Sequence, residues 1–93
     1  MILQKTVKYK TIKVTTDGVL SVNATAILFD NRGVKSVMID DYELPAGSAL
    51  SYAVPDQSIN KQDYTITFDL AETNKILFVT AEYTTDSNPL TFT

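Results

Sequence analysis

Asp40, Asp41 and Glu43 are the carboxylates closest together in this chain, and paired carboxylates are one way to exchange protons with a substrate. Successive residues of an extended chain point to opposite faces, so Asp40 and Asp41 diverge while Asp41 and Glu43 share a side. A solvated strand edge running into a turn accounts for the same three residues without any chemistry, and it is the expected reading. Histidine and cysteine are both absent. Imidazole acid–base catalysis, thiol nucleophiles and the common zinc and copper sites go with them. Asp30-Asn31 and Asp86-Ser87-Asn88 offer oxygens, but turns use such residues routinely, and no stretch matches the spaced acidic loop that binds calcium. The three glycines are each expected in turns, which leaves none to cradle a phosphate. No catalytic residue, metal site or cofactor is therefore expected, and the chain is read as one that binds or assembles.

The charge is unevenly placed. Lys5, Lys8, Lys10 and Lys13 are half of the eight basic residues, and all precede residue 14, whereas all eleven acidic residues come later. A basic first strand thus precedes an acidic body. Alternation puts Lys8 and Lys10 on one face and Val7 and Tyr9 on the other, with the aromatic expected inward. Binding of single-stranded nucleic acid needs basic and aromatic groups on the same exposed surface, so this pattern argues against it. An exposed Tyr42–Tyr52 pair could stack on sugars, and this keeps a carbohydrate-binding module as the rival from a different class.

Ninety-three residues suffice for one domain, taken as 1–93, and are too few for two. The first residues show no basic segment followed by a long apolar run, and no window holds the 18 or so apolar residues of a spanning helix, so neither a secretory leader nor a membrane span is expected. Threonine is plentiful, and the apolar residues come in short alternating runs, which is the mark of strands.

The clearest run is Tyr64 to Leu70, apolar at even positions and polar at odd ones. Ile76 to Tyr83 follows, apolar on both sides at first, as in a central strand. Joined as a hairpin, these runs would pair Phe68 with Leu77, Ile66 with Val79 and Tyr64 with Ala81. A first hairpin around Thr16-Asp17-Gly18, with Gly18 left-handed, would pair Val14 with Leu20 and Ile12 with Val22. The apolar positions then change parity near Lys10 and Thr25. Either the two halves of a twisted ribbon serve opposite layers of a sandwich, or the hairpin tip packs against another subunit. Asp30-Asn31-Arg32-Gly33 reads as a turn with a left-handed glycine that sets Ile27 across from Val37. Pro45-Ala46-Gly47 reads as a turn with proline in its second position, Pro55 as a residue that either ends the preceding strand or confines it to an edge, and Leu90 to Thr93 as a last half-strand.

The expected fold is all-β, a two-layer antiparallel β-sandwich, jelly-roll-like or immunoglobulin-like, with a partly closed barrel second. Threonine-rich strands, the lack of cysteine, no visible leader and a basic strand on an acidic body resemble, in a general way, small β-sandwich subunits of virus particles. The expected function is that of a structural subunit of a larger assembly, a homo-oligomer or multi-component particle, located in a virion or otherwise in the cytoplasm. Lys8, Lys10, Ile12, Lys13, Val14, Leu20 and Val22 are its expected interface. Phe68, Leu77, Ile66 and Val79 are the expected core. Phe68→Ala should lower the free energy of unfolding in urea by about 3–5 kcal/mol, and a loss below about 1 kcal/mol would place Phe68 at the periphery.

Overall fold

The computed structural model describes residues 6–55, 58–84 and 87–93. The expectations that touch Lys5, Asp56 and Asp86 lie outside the described residues. Nine strands occur among the described residues: β1 (Lys8–Val14), β2 (Gly18–Ala24), β3 (Ala26–Asn31), β4 (Val37–Ile39), β5 (Tyr42–Leu44), β6 (Ala49–Ala53), β7 (Asn60–Phe68), β8 (Leu77–Tyr83) and β9 (Leu90–Phe92). They form two antiparallel sheets, ordered β1-β8-β3-β6 and β5-β4-β7-β2-β9. Among consecutive strands only β4 and β5 pair with each other; every other connection changes sheet. That alternation is the winding of a jelly roll, with β9 added beside β2. No helix among the described residues is long and apolar enough to cross a membrane.

Both expected long hairpins are corrected. β7 pairs with β2 and β4, while β8 pairs with β1 and β3. Phe68, Ile66 and Tyr64 meet the side chains of the other sheet across the core, and none is a lateral neighbour of Leu77, Val79 or Ala81. β1 and β2 also lie in different sheets, so Val14–Leu20, Ile12–Val22 and Val7–Ile27 are not pairs. β3 and β4 are likewise separated, which removes the pairing of Ile27 with Val37. The physical reason is shared by all three errors. Matching apolar parity states which face of a strand is buried, and it is satisfied equally by a neighbour in the sheet and by a strand facing it across the core. Length does not discriminate either: a connection of three extended residues reaches about 10 Å, the distance between packed sheets.

The core itself is as expected. Ile66, Phe68, Leu77 and Val79 are buried together with Val14, Leu20, Val22, Ile27 and Phe29. β8 lies between β1 and β3, as its double-sided apolar run requires. Leu90 is buried, and the last half-strand pairs with β2.

The parity change has a location. In β2 the buried residues are Leu20, Val22 and Ala24; in β3 they are Ile27, Phe29 and Asn31. Between the two strands stands Thr25 alone, where the chain leaves one sheet and enters the other. Its N–H and its Oγ1 both donate to the carbonyl of Glu82, at 2.8 and 2.9 Å, and its own carbonyl accepts the N–H of Val54. The two halves of this run therefore do serve opposite layers, as continuous strand rather than as half of a ribbon. β1 shows no such change: Lys8, Lys10, Ile12 and Val14 all take the more buried side.

Left-handed glycines are corrected too. Among the described residues only Gly47, at φ 76°, and Asp40, at φ 52°, have positive φ. The N–H of Ser48 donates to the carbonyl of Pro45, which makes proline the first residue of that turn and Gly47 its third. Gly18 is required for a different reason. A Cβ there would sit 2.6 Å from the Phe92 ring and 2.6 Å from the Thr93 carbonyl oxygen, so β9 lies where a side chain would be. Gly18→Ala should destabilise by roughly 1–3 kcal/mol through overpacking. The amides of Val19 and Thr93, which bond each other's carbonyls, should lose protection from hydrogen exchange selectively. Exchange unchanged at both amides would show that β9 does not depend on the missing side chain.

Candidate functional site

The expected interface residues do not form one surface. Val14, Leu20 and Val22 are at most 3% exposed, and Ile12 packs against them, so all four belong to the protein's own core. The alternative in which the hairpin tip projects to meet a partner falls with this, because there is no hairpin tip. The lysines divide. Lys13 is exposed, whereas Lys8 and Lys10 lie half-buried on the core side of β1, and Tyr9 points outward at 69% exposure. This reverses the expected placement of the aromatic. The reason is that β1 is a sheet edge where the core thins, so a long alkyl stem can run along apolar surface and still deliver its ammonium to a polar group. Lys10 Nζ donates to Asn88 Oδ1 at 2.7 Å, and Lys8 Nζ stands 5.9 Å from the centre of the Tyr83 ring.

On the opposite flank of the sandwich, between edge strand β6 and the β4–β5 hairpin, is a cleft of about 440 Å³. Asp40, Asp41 and Tyr42 line it from the hairpin, Tyr52 from β6, and Asn60, Gln62 and Tyr64 from β7. Its floor is an aromatic cluster. Tyr52 stacks on Tyr64, with ring centres 6.0 Å apart and an interplanar angle of 17°. Both meet Phe29 edge-on, at 6.4 and 5.4 Å, arrangements that the ring quadrupoles favour. Asn60 Nδ2 donates to the Tyr64 hydroxyl at 2.9 Å. Tyr64 is buried, while Tyr42 and Tyr52 are 48% and 39% exposed. The two tyrosines singled out in the sequence thus line one cleft, although they come from different sheets.

The carboxylates have separate tasks. Asp40 takes the left-handed position of the two-residue β4–β5 turn, which suits a residue whose short side chain can bond nearby backbone. Its N–H donates to the Thr65 carbonyl and its Oδ1 accepts the Thr65 N–H, both at 2.8 Å. Asp41 lines the cleft. Glu43 is exposed on β5 and is not among the cleft's lining residues. Among the described residues no group of three or more acidic side chains is arranged to hold a metal ion.

Asn31, which the sequence placed in an ordinary turn, and Glu72, which it did not single out, proved central. Asn31 is fully buried. Its Nδ2 donates to the carbonyls of Lys35 and Leu44, and its Oδ1 accepts the N–H of Gly33. Beside it the Glu72 carboxylate, 8% exposed, accepts N–H groups from Val34, Lys35 and Asn74 at 2.9–3.1 Å. Gly33 carries no side chain because a Cβ would collide with Glu72 Oε1. Together they pin the 32–36 loop to the 69–76 loop. The only signal in the sequence was in-phase spacing: Asn31 continues the inward series Ile27, Phe29.

Compared with family models, curated proteins and solved structures, the chain matches none.

Burial opposes ionisation of Glu72. The N–H groups of Lys35, Asn74, Val34 and Thr73 outweigh it and hold the carboxyl below its ordinary value of 4.5. A depressed pKa contributes stability that is fully present above the unfolded-state value and is lost as pH falls through the folded-state value. Urea midpoints should therefore decline below about pH 4.5, and Glu72→Gln should be less stable at neutral pH, with the difference narrowing in acid. Parallel curves for the two proteins would deny Glu72 this role.

Proposed function

We propose that the protein is a structural subunit of a larger assembly, of the kind that builds a virus or phage particle, and that it acts through surface contact rather than catalysis. The observation that carries this reading is the outer face of the β1-β8-β3-β6 sheet. Registers place Tyr9, Thr11 and Lys13 beside Glu82, Thr80 and Phe78, then Ala26, Leu28 and Asp30, then Ala53, Ser51 and Ala49. Charge appears only at the margins: Lys13, Asp30 and Glu82. The middle row is Thr11, Thr80, Leu28 and Ser51, while Phe78, the alanines and Tyr9 share the end rows with the charges. Leu28 is 41% exposed and Tyr9 is 69% exposed. Only three of these twelve side chains are charged and none of the three is in the middle row, and depletion of charge is what distinguishes the core of a contact surface from ordinary wetted surface.

Jelly rolls serve as capsid subunits and as lectins, so topology is compatible with this function without selecting it. The neighbour is another copy or another component of the same particle. Lys13 is the one lysine of β1 on this face, and it stands at the rim, where it can steer the encounter with an acidic group of the neighbour.

Sedimentation velocity tests the proposal. The protein should associate with itself, or with other particle components from its source, over a range of concentrations. Tyr9→Glu combined with Leu28→Glu should abolish association by about tenfold or more, with near-ultraviolet circular dichroism and the unfolding midpoint close to wild type, because neither side chain is in the core. A wild-type protein that stays monomeric at all concentrations and binds no such component overturns the reading, as does a folded double variant that assembles normally.

A further inference from the structure

The tyrosine cleft lies on the flank between the sheets, meets the outer sheet face at Ala53, and has features that packing alone does not require. Asn60 and Gln62 occupy positions on β7 in phase with Tyr64, Ile66 and Phe68, on the side of the strand that faces the core. Two amides replace apolar residues there because β6 is the last strand of the opposite sheet, and beyond it this side of β7 opens into the cleft. The side chains of Gln62 and Asp41 and the hydroxyls of Tyr42 and Tyr52 make no hydrogen bond to another described residue. Tyr52, by contrast, is held in place: it is stacked on Tyr64, which is in turn fixed by Phe29 and by Asn60. A preformed aromatic surface with a few polar groups converging on it is the usual anatomy of a small-molecule site.

We propose that this cleft binds a neutral pyranose sugar, with the ring set against Tyr42 or Tyr52 and the hydroxyls on Asp41, Asn60 and Gln62. The electron-rich face of a tyrosine attracts the polarised C–H groups on one face of a pyranose. A carboxylate accepts from hydroxyls, and a primary amide both accepts and donates, so these three side chains match the mixed donor–acceptor character of a sugar. A cation would also be drawn to tyrosine and aspartate. Gln62 favours the sugar, since it offers a cation only a carbonyl oxygen and would leave its N–H groups unused, whereas Asn60 already donates to Tyr64.

Saturation-transfer NMR with the methyl pyranosides of glucose, galactose, mannose and N-acetylglucosamine, each up to about 10 mM, would detect binding with a Kd of about 1 mM. At least one glycoside should give a signal. Tyr42→Ala, which removes an exposed side chain, and Asp41→Asn should each weaken it by about tenfold. Tyr52→Phe, which keeps the stack on Tyr64, should weaken it less than Tyr42→Ala. No signal from any glycoside overturns the proposal. Signal that survives both Tyr42→Ala and Asp41→Asn places the sugar elsewhere and also overturns it. Tetramethylammonium giving a signal where the glycosides give none would assign the cleft to cations instead.

Discussion

Residues 18–31 run almost without interruption as strand, yet they belong to both sheets. One residue, Thr25, separates the half that buries even positions from the half that buries odd ones. A strand that continued in one sheet through this point would turn Ile27 and Phe29 outward and Leu28 inward, since side chains alternate with period two. Changing sheets resolves the conflict: both halves bury their apolar series in the same core from opposite sides. Thr25 can hold the corner because its hydroxyl and its backbone N–H converge on one carbonyl of β8, while β6 bonds the other side of the chain through Val54. The crossing therefore ties a strand of one sheet to two strands of the other.

At the far end of β3 the same problem of joining sheets is solved with buried polar groups. Asn31 bonds the backbone of Gly33, Lys35 and Leu44, and Glu72 that of Val34, Lys35 and Asn74. The Glu72 charge meets several N–H groups and, among the described residues, no ion pair. Oriented N–H dipoles stabilise a carboxylate at little conformational cost, because the loops that supply them are already held by their ends. Asp17 performs a related service at the β1–β2 connection, its Oδ1 accepting the N–H of Phe68 at the end of β7. These acidic residues thus satisfy the backbone where strands end, and this accounts for part of the acidic excess without any external partner.

The winding also distributes the surfaces. One flank, with β1 and β9, is closed by long lysine stems and by the bond from Lys10 to Asn88. The other, with β6 and the β4–β5 hairpin, stays open and collects tyrosines and amides. The weakly charged outer face of the β1-β8-β3-β6 sheet is a third surface, formed by the side chains that alternate with the core. The two surfaces meet at Ala53 on edge strand β6, which belongs to the outer face and also lines the cleft.

Alternation alone was enough to identify strands, to assign their buried faces and to name Ile66, Phe68, Leu77 and Val79 as core, because burial of a strand face is a local property written with period two. It also registered the change of parity at Thr25. Which strand lies beside which was decided only by the tertiary structure. Apolar parity is the same for lateral neighbours and for strands that face each other, and a three-residue link can close a hairpin or arch between sheets. Ile12, Val14, Leu20 and Val22 looked like a separate patch only while β1 and β2 were paired; with each in its own sheet they close the core. The roles of Gly18, Gly33, Asn31 and Glu72 were equally hidden, since each depends on a contact with residues at least 13 positions away, Phe92, Glu72, Leu44 and Val34 respectively. Local sequence carries no record of such contacts until the winding brings them together.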